Sequence, residues 1–296
     1  MQILIIGAGL TGGAIASNLV KIKQVKTVSL YSRTLKSVKA LAFDLRNKKV
    51  NILESLTNLR KFDFIIITLA GISDSTRAES FFKRKTTYEV RQDELKYNIG
   101  AIAGIVPYLK KVQSYSKIIV VTNPVDEITN YLRITLKNNN VLGFGLELDA
   151  KRYSKIFGRN VYCIGTHGKA IPIINSMSRN EYYLLYKKVD SELMSYIRRN
   201  GIPHKLAGEA FLEFFQRLIG QRESVIHVSN YLSRDFFGAK DISISLPYIV
   251  KDGKIVRIVE INPNLIELER FRKSVKQLRR SVSHILTAHR KLVSYK

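Results

Sequence analysis

The 296-residue chain has one cysteine, no tryptophan, six prolines and 24 acidic residues against 49 Lys and Arg. Each shortage excludes something. With Cys163 alone, neither an intrachain disulfide nor a multi-cysteine metal site can form within one chain, so zinc ribbons and fingers are ruled out and no metal is expected. No apolar run approaches the roughly 20 residues that span a bilayer. The opening Met1-Gln2-Ile3-Leu4-Ile5-Ile6 passes into glycines without a basic leader, so the expected setting is cytoplasmic, away from a membrane. Internal repeats and Pro- or Ser-rich linkers are also missing, which points to packed domains. Hydrophobic residues make up 45% and charged residues 25%, a composition of folded rather than disordered chains. The shortage of acid leaves a net charge of +25, which fits a nucleic-acid partner, an anionic ligand or a generally basic background. Charge alone does not choose among these.

What is present is a regular alternation. Short β-rich runs at 2–6, 27–31, 62–68 and 117–121 alternate with stretches whose apolar residues recur at spacings of three and four, such as Ile15, Leu19 and Ile22, or Val38, Leu41 and Leu45. This βαβ alternation predicts an α/β fold with a parallel sheet covered by helices on both faces. After about Val141 the pattern changes to candidate strands at 161–164, 224–228, 242–248 and 255–261, with helices over 180–199 and 205–219. At about 150 residues per domain, this reads as two domains, 1–143 and a mixed α+β unit over 144–296. The chain closes on a long helix with Phe271, Val275, Leu278, Val282, Ile285 and Leu292 on one stripe and a basic opposite face. That face reads as solvated, so nucleic acid is not the expected partner.

Gly7-Ala8-Gly9-Leu10-Thr11-Gly12, followed by Gly13, fits G-x-G-x-x-G between a strand and a helix. The first glycine permits the turn, the second lets a pyrophosphate reach the backbone, and the third lets helix pack on strand. Phosphates would sit at the helix N-terminus, where unpaired N–H groups favour negative charge. A dinucleotide-binding, doubly wound Rossmann sheet follows as the expectation for the first domain. At the end of the second strand, where an acid would hold the ribose of NAD, the chain reads Ser32-Arg33-Thr34. A hydroxyl followed by a guanidinium suits the 2′-phosphate of NADP, so NADP is preferred to NAD. A surface role for Arg33, with either cofactor accepted, is the alternative.

Four more segments follow in order: Arg91-Gln92-Asp93-Glu94-Leu95-Lys96-Tyr97-Asn98, Val121-Thr122-Asn123-Pro124-Val125-Asp126, Leu148-Asp149-Ala150-Lys151-Arg152, and Ile164-Gly165-Thr166-His167-Gly168. After a G-x-G-x-x-G turn, this succession resembles the malate/lactate dehydrogenase family over nearly the whole chain. It extends to Ala70-Gly71, Ser245-Leu246-Pro247, the Gly253 turn, and Glu269 with Ser274. The residues have a reading of their own. Asp149 and Arg152, at i and i+3, project from one helix face, and His167 is an exposed-type position between a strand and a glycine. A carboxylate beside His167 would raise its pKa and fix its tautomer, suiting it to acid–base work.

The resemblance implies that Asp149 and His167 form a catalytic dyad, that Arg91 polarises a substrate carbonyl, and that Arg152 grips a carboxylate. It further implies that Asn123 sits between nicotinamide ribose and substrate after a cis bond to Pro124, and that Asn98 and Val121 contact the cofactor. A basic residue a few places before Arg91 would favour malate and oxaloacetate, and a neutral one lactate and pyruvate. Counting back gives Lys85, with Arg84 and Arg77 as alternatives, because the stretch from Gly71 to Arg91 is long and holds a helical-looking piece with Phe81 and Phe82. The Asp149–His167 interval is short. His204, after Gly201-Ile202-Pro203, reads as a helix-starting residue, and Cys163 as buried packing. The expected function is reversible oxidation of (S)-malate or a similar 2-hydroxy acid by a homo-oligomer, dimer or tetramer. The alternatives are lactate or a branched 2-hydroxy acid as substrate, or a non-catalytic polyanion-binding protein on this scaffold, which would bind with steep salt dependence.

Overall fold

In the computed structural model, residues 1–57, 59, 61–112 and 114–294 are described, with side chains of 74 and 289–294 outside the description. Leu292 of the expected apolar stripe therefore lies outside the described side chains. The first half builds a parallel sheet: β1 (Gln2–Ile6), β2 (Thr27–Tyr31), β3 (Val50–Ile52), β4 (Phe64–Ile67), β5 (Lys117–Val120) and β6 (Val141–Gly143), ordered β3-β2-β1-β4-β5-β6. Order reverses between β1 and β4, the point at which doubly wound sheets open a crevice beyond the strand ends. The strands are apolar on both faces because both are covered. Ile3 and Ile5 face one cluster, which includes Ile15 and Leu19 of α1 (Leu10–Leu19); Leu4 and Ile6 face another, which includes Ile102 and Ile105 of α4 (Thr87–Leu109).

Helix starts follow local chemistry. Ser73 accepts from Thr76 N–H to open α3 (Asp74–Lys83), and Thr86 with Glu89 makes a reciprocal capping box at the start of α4. The helical-looking piece before Arg91 is thus a real helix. Its Phe81 is buried with Val90, Met194 and Ile197, the last two from α7 (Arg179–Asn200). Arg198 of α7 donates to the carbonyls of Phe81 at 2.8 Å and Arg84 at 3.1 Å.

The second half does not form a separate sheet. β9 (Ser224–Leu232) and β10 (Ile242–Lys251) are an antiparallel pair longer than the sequence pattern suggests, and Ser229 of β9 pairs antiparallel with Gly143 of β6. β10 then pairs with β7 (Cys163–Thr166), β7 with β8 (Lys169–Pro172), and β11 (Lys254–Ile258) with β10, so one sheet of 11 strands crosses the expected boundary. Short β3, β6 and β8 escape prediction because three or four residues show no period. The helices α2 (Leu35–Leu45), α5 (Val125–Leu136), α6 (Leu146–Phe157), α8 (His204–Ile219) and α9 (Leu265–Ser294) complete the fold. Phe271, Val275, Leu278, Val282 and Ile285 of α9 are buried as its stripe predicts. Among the described residues no helix is long and apolar enough to cross a membrane.

Candidate active site

A cleft of about 680 Å3 opens beyond the C-terminal ends of β1, β4 and β5, running from Gly7–Thr11 and Ser32–Arg33 to Arg91, Asn123, Arg152 and His167. At one end, Gly7 has φ +120°, and a Cβ on Gly12 would stand 1.9 Å from the Gly7 carbonyl, so the close strand-to-helix turn needs glycine there. Gly9 has open space where a side chain would be, and no side chain caps the first N–H groups of α1. That cradle of unpaired donors fits a dinucleotide pyrophosphate. Arg33, exposed at the end of β2, donates to the Ala70 carbonyl at 3.1 Å and lines the cleft. Thr11 Oγ1 lies 2.7 Å from His204 Nδ1, so the first residue of α8 sits over the glycine turn, a neighbour that its helix-starting role did not suggest.

The other end is built around Asp149 on α6. His167 Nδ1 lies 2.8 Å from Asp149 Oδ2, the Gly168 N–H donates to that oxygen at 2.9 Å, and Arg152 Nη1 reaches Oδ1 at 2.6 Å. With Nδ1 committed to the carboxylate, Nε2 is the ring atom left to exchange a proton. His167 is fixed through its backbone too. Its N–H donates at 2.8 Å to buried Asp126, whose other oxygen accepts from Ser245 Oγ at 2.7 Å. This acid and its serine partner, both inside quoted segments, escaped sequence reasoning because nothing in their spacing announces a backbone contact across the sheet.

Electrostatics in the cleft differ from the sequence expectation. Asp149 was expected to raise the His167 pKa, but burial and the neighbouring Arg91 guanidinium outweigh it and lower that pKa to about 4. Burial works against charge on Asp149 also, yet His167, Arg152 and Arg91 hold it well below the usual carboxylate range. Arg91 on α4 is 8% exposed, and its Nε and Nη1 have no hydrogen-bond partner. Burial, with Arg152 nearby, pushes its pKa down against the pull of Asp149. A buried guanidinium with two unused donors is prepared for an anionic or carbonyl oxygen.

Asn98 bridges the two ends, accepting from the Gly71 N–H at 2.7 Å and donating to the Asn123 carbonyl at 2.7 Å. The Asn123–Pro124 peptide is cis, and Val121 also lines the cleft.

The expectation for Lys85 needs correcting. Lys85 is exposed and outside the lining, its N–H donating to Glu89 at 2.9 Å in the turn before α4. Arg84 points to Asp93, with Nη2 at 2.9 Å from Oδ1. α3 brings Arg77 into the cleft instead, with Nε 2.8 Å from Glu94 Oε1. The inserted helix is the physical reason, because counting back along a loop fails when part of it coils.

Residues 1–90 match the family model described as Shikimate / quinate 5-dehydrogenase, a span that contains the glycine turn. An L-lactate dehydrogenase of Thermoanaerobacterium saccharolyticum is 29% identical over 216 residues, covering 63% of this chain and 69% of its own. One from Clostridium botulinum is 23% identical over 319 aligned positions, covering 96% of both chains. Over nearly its whole length the chain is thus similar to L-lactate dehydrogenases. The solved malate dehydrogenase of Archaeoglobus fulgidus in complex with NADH has the same fold, with a TM-score of 0.77 at 22% identity over 96% of this chain and 99% of that one. Within this malate/lactate dehydrogenase fold, the residues singled out from sequence at the glycine turn, at Asp149, Arg152 and His167, and at Arg91, Asn98 and Asn123 come together around one cleft. Lys85 does not. Glu94, overlooked in the sequence, does; its signal was its place one turn after Arg91 on the same helix face.

Proposed function

We propose that the protein is a nicotinamide-dependent dehydrogenase that interconverts a 2-hydroxy acid and the corresponding 2-oxo acid. The observation that carries this reading is the Asp149–His167 pair at 2.8 Å, sharing one cleft with the Arg91 and Arg152 guanidinia and a donor-lined glycine turn. The names of the relatives support it. The cofactor, when bound, supplies or accepts the hydride. The chain's own residues bind, orient and move the proton. Arg152 takes the substrate carboxylate through its planar fork, and the unused donors of Arg91 meet the carbonyl oxygen where negative charge develops. His167 Nε2 gives its proton to that oxygen in reduction and removes it in oxidation, while Asp149 holds the ring in the tautomer required. Asn123 and Asn98 order the floor between cofactor and substrate.

The lowered pKa of His167 leaves the ring neutral at pH 7, ready to act as a base toward a hydroxyl. A 2-oxo acid brings a carboxylate that offsets the cations facing the ring, so its binding draws in the proton that reduction consumes. Ser32 and Arg33 favour NADPH over NADH, because a guanidinium at that place meets a phosphate rather than a ribose diol. The preference for malate rested on Lys85 and loses that support, since Lys85 is exposed and Arg77 is paired with Glu94.

The test follows the absorbance of NADPH and NADH in parallel with pyruvate, oxaloacetate and a branched 2-oxo acid. His167→Asn is expected to bind cofactor normally and lose turnover by about 10^2–10^4. Turnover equal to the parent protein would overturn the mechanism.

A further inference from the structure

Glu94 follows Arg91 by three residues on α4, and its side chain, 2% exposed, lines the cleft. Oε1 is engaged by Arg77 Nε at 2.8 Å, while Oε2 is buried and has no hydrogen-bond partner. Asn123 Oδ1, on a residue that lines the same cleft, is buried and without a hydrogen-bond partner as well. Two buried acceptors without donors in a substrate cleft call for a ligand that donates.

We propose that Arg77 and Glu94 form a donor–acceptor subsite for the far end of the substrate, selecting a 2-oxo acid whose tail is neutral and carries a hydrogen-bond donor, above all a carboxamide, over one ending in a carboxylate. The proposal rests on the dehydrogenase reading and names its substrate class. A carboxamide matches the pair atom for atom: its carbonyl accepts from Arg77 and its NH2 donates to Glu94 Oε2. A carboxylate of the same shape offers only acceptors, sets a negative charge against Glu94 and must compete with it for Arg77. A methyl group satisfies neither partner. Phe81, Leu193, Ile197 and Ile202 line the same cleft, so a charged tail would also lose water without compensation. Burial pushes the Glu94 carboxyl up against the influence of Arg77 and Arg91, and a donor at Oε2 stabilises its charged form.

The test compares kcat/KM for 2-oxosuccinamate and oxaloacetate, which differ by NH2 against O−, and for 3-hydroxypyruvate and 2-oxobutyrate, which differ by a hydroxyl against a methyl. The amide is expected to exceed oxaloacetate by about tenfold or more, and the hydroxyl compound to exceed its methyl analogue. Glu94→Gln, checked for folding by its melting midpoint, is expected to collapse or invert the first ratio, because glutamine presents a donor to a carboxylate and releases Arg77. Oxaloacetate equal to or better than the amide, or a ratio unchanged in folded E94Q, would overturn the subsite while leaving the dehydrogenase intact. Turnover of none of the four would overturn the dehydrogenase reading and the subsite with it. Should E94Q fail to fold, the order of substrates in the parent protein decides alone.

Discussion

Replacing Gly168 by alanine adds one carbon atom where the structure has no room for it. Gly168 has φ +84°, and a Cβ there would lie 2.1 Å from Arg91 Nη1 and 2.9 Å from its Cζ. The left-handed backbone costs alanine about 1–2 kcal/mol, a loss borne by stability. The contact itself is relieved more cheaply by moving the guanidinium than the sheet, since Arg91 Nε and Nη1 have no partner holding them. Nη1 must retreat by about 1 Å to regain an ordinary contact, and a misplacement of that size costs on the order of 100-fold in rate. Steady-state kinetics with 2-oxo acid at saturating reduced cofactor should therefore show kcat/KM down about 100-fold, or about 2.7 kcal/mol of transition-state stabilisation. Cofactor affinity, measured by direct titration, should not change, because Gly168 is outside the cleft's glycine turn. A folded G168A protein with kcat/KM close to the parent value would refute the role assigned to Arg91.

Other outcomes follow from the same geometry. Arg33→Gln should raise KM for NADPH by about tenfold or more and leave NADH nearly unaffected, as the loss of a charge-assisted bond to a phosphate predicts; equal effects on both cofactors would remove the NADP preference. Because the folded pKa of His167 is lowered from 6.5 to about 4, the unfolded chain binds more protons between those values, and stability should fall as pH drops through that window. His167→Gln should flatten that part of a denaturant-midpoint profile, and an unchanged slope would place the titration elsewhere. Below it, the depressed Asp149 carboxylate takes over, its contribution being lost only as pH falls under the ordinary range for aspartate.

Much of this was legible in the sequence because the signals were local. Four parallel strands and the helices between them follow from runs and periods that a covered sheet requires. The glycine turn announces itself by spacing, and Asp149 with Arg152 by their i,i+3 placement. What escaped depends on contacts between distant segments. β6 is three residues long, yet its pairing with β9 joins the halves of the sheet. Asp126 matters through a backbone N–H 41 positions away. The pKa of His167 was misjudged because one carboxylate was visible from sequence, whereas the depth of burial and the approach of Arg91 from another helix were not. Lys85 and Arg77 exchanged places because α3 changes the reach of the chain between Gly71 and Arg91.

The continuous sheet also determines where this protein can breathe. The glycine turn after β1 and His167 after β7 hang from strands in one hydrogen-bonded ladder, so the two halves cannot swing apart like jaws without breaking β6 from β9. At the edge of the cleft, α3 rests Phe81 in a small apolar nest with Met194 and Ile197 and is tied by Arg198. Opening the cleft at that edge would have to lift Phe81 from Met194 and free Arg198, neither of which lines the cleft.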